Sequence, residues 1–293
     1  MGTERAAVRL PGMERFERAC LLVNAASGSN TPEACAALRE GLAAQGIAIA
    51  LSPAVPDDPL PTPADLDRAG VTLVVVYTGD GTLRSVLTGL AGWDGAVLVL
   101  PGGTTNLLSK SLHGDRPFED ILADLPAMRR IRRQCLQSAA GTAVIEVVAG
   151  PGAKWSDVRE GLREGDIAAV ASTAVEAAQA SAGGSTVVLS RPAIGRTEGY
   201  SGVRLTPMPE GIEVEGYGAA TIADYLAQGI ALLRRDFRTG PHDDLGLHPF
   251  VHCASIDGSP IELMLDGERE CGPSELKFSL AELDLDLLTA HHG

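Results

Sequence analysis

The chain has 293 residues, 45% of them hydrophobic, so it is long enough for about two domains with buried cores of their own. Its net charge of −14 argues against nucleic-acid binding and against strong electrostatic attachment to anionic lipid, since both need a basic surface. Five scattered cysteines without a CxxC pair indicate neither a disulfide framework nor a zinc site, and without a signal-like or membrane-spanning apolar run we expect a cytoplasmic protein.

The first half of the chain alternates strand and helix patterns. Apolar runs predict strands at 19–23, 47–51, 71–77 and 96–100. Thr31-Pro32 and Thr62-Pro63 are typical of helix starts, with a capping side chain followed by a proline at the first helical position. This alternation predicts an α/β domain with a parallel sheet, at about residues 15–128.

The second half reads as short strands separated by Gly, Pro, Asp and Ser, which predicts an antiparallel β-sandwich over about 129–293. The strand-like runs are 129–136, 143–148, 186–189, 203–206, 212–214, 250–256, 261–265 and 276–280. Helices are predicted at 155–179 and 220–237, and we expect the last residues to return to the first domain.

Loops rich in glycine and turn formers follow three of the predicted parallel strands, at 24–30, 78–82 and 101–106. The carboxyl ends of parallel strands share one edge of a sheet, where glycines and helix N-termini favour bound phosphate. Neither a P-loop nor a dinucleotide GxGxxG signature with its spaced acid is present. Asp80 among phosphates needs a cation or a hydroxyl proton beside it, which favours phosphoryl transfer over passive nucleotide binding.

Four motifs, in order along the chain, resemble those of the diacylglycerol kinase superfamily, which includes sphingosine kinases and has NAD kinases and phosphofructokinases as distant relatives. They are Asn24-Ala25-Ala26-Ser27-Gly28, Gly79-Asp80-Gly81-Thr82, Pro101-Gly102-Gly103-Thr104-Thr105-Asn106 and Asp266-Gly267-Glu268. The resemblance implies an α/β nucleotide-binding domain followed by a β-sandwich domain. Thr78 replaces the usual first glycine before the aspartate, and Leu107 stands where many members have an acid.

The resemblance also implies roles for individual residues. Nucleotide contacts are implied for Asn24, Ser27, Gly28, Gly79, Asp80, Gly81, Thr82, Gly103, Thr104 and Asn106. Glu268, or else Asp266, would take the proton from the lipid hydroxyl, and Asp80 is the third candidate catalytic residue. Glu210 is similarly placed to a Mg²⁺-binding acid of bacterial members, so the implied cofactors are ATP and Mg²⁺. We expect residues 266–268 to face Gly79–Thr82 within one substrate's width.

The expected activity is therefore an ATP-dependent lipid kinase that phosphorylates a hydroxyl of diacylglycerol or a similar lipid and contacts the inner membrane face only transiently. An oligomer is compatible with the sequence. One alternative is an NAD kinase-like enzyme with a soluble substrate, although that group's Asn-Glu pair has no counterpart at Asn24, Asn30 or Asn106. The other is a nucleotide- or lipid-binding protein that has lost turnover, as the departures at Thr78 and Leu107 would allow.

Overall fold

The computed structural model describes residues 16–24, 30–103, 106–151, 186–218 and 242–290. The chain divides into a first unit of residues 1–132 with 284–293 and a second unit of residues 133–283. The helices predicted at 155–179 and 220–237 lie outside the described residues.

The described residues form nineteen strands and five α-helices. The strands are β1 (Arg18–Asn24), β2 (Ala48–Leu51), β3 (Ala54–Val55), β4 (Leu73–Thr78), β5 (Ala96–Pro101), β6 (Arg129–Ile131), β7 (Gln134–Ser138), β8 (Gly141–Ala143), β9 (Val147–Ala149), β10 (Val187–Arg191), β11 (Ala193–Ile194), β12 (Gly202–Met208), β13 (Gly211–Tyr217), β14 (Asp243–His248), β15 (Phe250–Ser255), β16 (Ile261–Leu265), β17 (Glu268–Gly272), β18 (Glu275–Glu282) and β19 (Asp286–Thr289). The helices are α1 (Pro32–Ala44), α2 (Pro63–Arg68), α3 (Asp80–Gly89), α4 (Leu107–His113) and α5 (Phe118–Ala123).

The first unit is built on one sheet with the strand order β2-β1-β4-β5-β19-β6, and β3 also pairs with β1. The pairs are parallel except that between β19 and β6. Every residue of β4 is buried, as expected for a strand covered on both faces. On one face, Leu38 of α1 and Ile121 of α5 join the core formed with the sheet.

The two predicted helix starts in this unit are confirmed. The Thr31 hydroxyl accepts the backbone N–H of Ala34 at 3.2 Å, and Thr62 forms a reciprocal capping box with Asp65. Each cap satisfies a backbone donor that would otherwise lack a partner within its helix, which contributes about 1 kcal/mol of stability.

The second unit contains two antiparallel sheets with the strand orders β11-β10-β15-β18-β7-β8 and β14-β13-β12-β9-β16-β17. They share one core, in which Val251 and Phe278 of the former sheet join Val203, Val214 and Leu263 of the latter. The predicted fold class, an α/β unit followed by antiparallel sheets, is confirmed.

Two predicted strand runs are wrong because each divides between sheets. The run 129–136 becomes β6, which pairs with β19 in the first unit, and β7, which pairs with β18 in the second. The run 143–148 becomes β8 and β9, because the backbone N–H groups between them bond to the Asp266 carboxylate instead of to a strand. In both runs the strand-like sequence continues although the strand that it pairs with changes within the run.

Candidate nucleotide-binding and catalytic site

Three neighbouring strands of the first unit end at one edge of the sheet. Val23 of β1 lies opposite Tyr77 of β4, and Thr78 of β4 lies opposite Pro101 of β5. The three glycine-rich or asparagine-rich segments that follow therefore leave the sheet side by side, as expected for a ligand site of an open α/β sheet.

The Gly79-Asp80-Gly81-Thr82 motif forms the start of helix α3. Gly79 is the N-cap, without a side-chain cap bond, and Asp80 is the first helical residue. The N–H groups of this first turn lack partners within the helix, and the helix dipole places partial positive charge there. No atom of the described chain beyond its sequence neighbours lies within 4 Å of the position that a Cβ on Gly79 would take. The described residues therefore leave this turn open to an anionic group.

Gly102 and Gly103 serve a different purpose, because they let the third segment pack on the second. A Cβ on Gly102 would lie 2.3 Å from the carbonyl carbon of Tyr77, and one on Gly103 would lie 2.7 Å from the Cα of Gly79. Real Cβ atoms do not approach backbone this closely. These two glycines are thus required by the contact between neighbouring segments, whatever ligand binds.

Asp80 and Asn106 link the same two segments. The Asp80 carboxylate accepts the backbone N–H of Asn106 at 3.1 Å. The Asn106 side chain in turn bonds to both backbone groups of Gly103, accepting its N–H at 2.7 Å and donating to its carbonyl at 2.8 Å. Asn106 has a φ of 54°, a left-handed conformation that asparagine tolerates better than most residues. One predicted catalytic residue and one predicted nucleotide ligand therefore also hold the edge of the sheet together.

Two asparagines connect the first segment to the rest. Asn24 donates from its side chain to the Thr82 hydroxyl at 3.2 Å. Asn30 donates to the carbonyls of Asn24 and Tyr77 at 2.6 and 3.1 Å. Sequence reasoning placed Asn30 in a turn-rich loop but gave it no role, since nothing local indicates which carbonyls its amide reaches. The predicted ligands Ser27, Gly28 and Thr104 lie outside the described residues.

In the second unit, Asp266 and Gly267 form the two-residue turn of the β16–β17 hairpin. Leu265 pairs with Glu268 across the turn, and Asp266 and Gly267 have φ values of 52° and 90°. Positive φ at both positions is typical of the type I′ turn that Asp-Gly favours between strands.

The Asp266 carboxylate is 2% exposed and accepts three backbone N–H groups, from Val144 at 2.7 Å, Ile145 at 2.8 Å and Glu146 at 3.0 Å. Burial lowers the pKa of the nearby Arg133 guanidinium, and the negative charge of Asp266 opposes that effect. A buried carboxylate with this many donors holds the polypeptide, so its geometry fits a structural role better than proton transfer.

Glu268, the first residue of β17, is exposed, and it is the better placed of the two acids to meet a substrate. Glu210 is also exposed, in the turn between β12 and β13. Within the described ranges, no group of three His, Cys, Asp or Glu side chains is arranged to hold a metal ion. Glu210 would thus supply one metal ligand at most, and the approach of residues 266–268 to Gly79–Thr82 stays a prediction.

No helix in the described part of the chain is both long and apolar enough to cross a membrane.

Comparison with known proteins finds a family match in the first part of the chain. Residues 18–140 match the family model of the diacylglycerol kinase catalytic domain. A search of curated protein sequences finds no match.

Solved structures share the fold over nearly the whole chain. A diacylglycerol kinase from Bacillus anthracis str. Sterne is 14% identical, with a TM-score of 0.58 over 94% of this chain and 97% of its own. A second structure from that strain, named as a candidate diacylglycerol kinase, is 15% identical, with a TM-score of 0.60 over 94% of this chain and 98% of its own. At this identity the likeness shows a common two-unit fold.

Proposed function

We propose that this chain is an ATP-dependent lipid kinase, because residues 18–140 match the family model of the diacylglycerol kinase catalytic domain. It would transfer the γ-phosphate of ATP to a hydroxyl of diacylglycerol or a similar lipid. The observation that carries the proposal is the open approach to Gly79 at the first turn of α3, with Asp80 beside it.

The chain's own residues would act mainly by positioning. The N–H groups at the start of α3 would bind phosphate oxygens, while the Asp80–Asn106 and Asn24–Thr82 bonds keep the neighbouring segments in register with that turn. Phosphoryl transfer depends mostly on such alignment and on charge neutralisation.

The donor set at this edge fits a Mg²⁺ ion carried in with the nucleotide. Mg²⁺ commonly takes one or two protein carboxylates and completes its shell with phosphate oxygens and water. Asp80 is the carboxylate found in the described residues of the three segments, so it would hold the ion. When bound, the ion would neutralise charge on the phosphoryl group.

We propose Glu268 as the general base. As the lipid hydroxyl oxygen bonds to the γ-phosphorus and the bond to the ADP oxygen breaks, the hydroxyl proton would pass to the Glu268 carboxylate. With a net charge of −14, contact with the membrane that carries the lipid would be transient.

Two glycine substitutions, one at each end of α3, test the proposal. Gly79→Ala places a methyl group in this approach, so it should raise the KM for ATP by at least ~10-fold, and the loss of the N-cap glycine should lower the unfolding midpoint only slightly. Gly89→Ala is the matched control, because the Cβ at the other end of α3 also meets no described atom within 4 Å. It should keep the wild-type KM.

The assay is transfer of labelled phosphate from ATP to a panel of lipids in mixed micelles, with NAD as a soluble acceptor. A wild-type KM for ATP in Gly79→Ala would contradict the proposed site. ATP binding without transfer to any acceptor would favour the binding-protein alternative, and transfer to NAD alone would favour the soluble-substrate kinase.

A further inference from the structure

We infer that Asn30 is a positioning residue of the phosphate-donor site, whose side-chain amide fixes the spacing between the ends of β1 and β4. The inference rests on the proposed function, because it concerns the same edge of the sheet. It adds a residue outside the four motifs.

The geometry is that of a bridge between two strands. The Asn30 Nδ2 group carries two hydrogens and donates to the Asn24 carbonyl at 2.6 Å and to the Tyr77 carbonyl at 3.1 Å. Asn24 is the last residue of β1, and Tyr77 is the next-to-last residue of β4, its parallel neighbour. One amide thus supplies donors to carbonyls of both strands where the sheet ends.

Asn30 is itself held from the other side. The next residue, Thr31, caps α1 through its bond to the Ala34 N–H, so the helix start fixes the backbone beside Asn30. The connection continues beyond the strands, because Asn24 donates to the Thr82 hydroxyl in the first turn of α3. Hydrogen bonds therefore link Asn30, just before α1, through Asn24 to the turn proposed to bind phosphate.

The other polar atom of the same side chain, its amide oxygen, is buried at a cost in stability. Asn30 Oδ1 is buried and has no hydrogen-bond partner in the described part of the chain. Burying an acceptor without a donor is unfavourable, and a serine or alanine would avoid it. An asparagine at this position, despite the unpaired oxygen, is explained if its two N–H donors set the spacing of the strand ends at the phosphate site.

The test compares Asn30→Ala and Asn30→Asp with Thr62→Ala in the full chain. The aspartate is isosteric but has no donors, and its oxygens would face two carbonyls. Thr62→Ala removes the cap of α2 in the same unit and so lowers stability without touching the strand ends. For each variant we would measure the urea midpoint, ATP affinity by calorimetry, and the KM values for ATP and for micellar lipid.

Both Asn30 variants should weaken ATP binding and raise its KM by at least ~10-fold, with the lipid KM within about 2-fold of wild type. Thr62→Ala should lower the urea midpoint and leave both KM values within about 2-fold. A wild-type ATP KM in Asn30→Ala, or an equal rise in Thr62→Ala, would overturn the inference, the latter because general destabilisation would then explain it.

Amide hydrogen exchange separates this inference from the proposed function. In Asn30→Ala, exchange should rise at residues 20–24 and 74–82 and not elsewhere in the first unit. If wild-type protein neither binds ATP nor transfers phosphate, the proposed function fails, while this local rise would still support the bridge. Unchanged exchange at those residues would contradict the bridge itself.

Discussion

Replacing Asp266 by asparagine should destabilise the second unit while keeping its hairpin conformation. Asparagine tolerates the positive φ of 52° at this position, so the turn itself should persist. Its amide oxygen can still accept the N–H groups of Ile145 and Glu146, but an NH2 group would replace the oxygen that accepts from Val144 at 2.7 Å. Losing one charge-assisted bond and weakening two others should reduce the free energy of unfolding by about 2–4 kcal/mol.

Urea unfolding followed by far-UV circular dichroism measures this change, and hydrogen exchange assigns it to the second unit. Glu268→Gln, two residues along and exposed, is the control and should stay within ~0.5 kcal/mol of wild type. An Asp266→Asn protein as stable as wild type but without kinase activity would refute the structural role and return Asp266 to the catalytic candidates.

Three further predictions address activity and pH. Glu268→Gln should reduce lipid phosphorylation by at least ~100-fold with calorimetric ATP binding unchanged; persisting transfer would exclude Glu268 as the base. Asp80→Asn keeps an oxygen for the Asn106 N–H, so a folded variant should lose turnover at least ~100-fold in the kinase assay; near-normal turnover would leave Asp80 a purely structural residue. Hydrogen bonds from Arg196 and Tyr200 hold the pKa of the Asp243 carboxyl below its usual range. These bonds therefore stabilise the folded state above about pH 4, and that stabilisation is lost as the pH falls further. Urea midpoints between pH 2 and 6 should therefore depend less on pH in Asp243→Asn, and parallel profiles would contradict this.

The elements that the sequence predicted well have signals within a few residues. The apolar run 71–77 and the Thr31-Pro32 and Thr62-Pro63 starts depend on burial and capping that neighbouring residues determine. The run 129–136 was misread because β6 is defined by pairing with β19, more than 150 positions later, where Arg130 and Arg132 bond to Asp286. The periodicity of neighbouring residues cannot indicate a pairing strand that lies so far along the chain.

The candidate site shows the same division. The motifs located the strand-end segments and Glu268, but they gave Gly79 and Gly103 the same purpose. The structure separates them, because no described atom beyond its sequence neighbours lies within 4 Å of a Cβ on Gly79, whereas Gly103 packs against the Gly79 Cα. The bridge through Asn30 could not be predicted either, since it depends on how closely two strands and a helix start approach one another in three dimensions.

The position of β19 between β5 and β6 has a consequence for synthesis on the ribosome. The 151 residues of the second unit (283 − 132) are made after β6 and before β19, and at about 5–20 residues per second this takes roughly 8–30 s. Throughout that time one edge of the buried strand β5 has no partner, and an unpaired apolar edge invites aggregation. The second unit closes on itself through the bond from the Leu283 N–H to the Arg133 carbonyl at 2.8 Å, so it could fold before the first sheet is complete. The nascent chain is therefore most vulnerable in the interval before its final strand emerges.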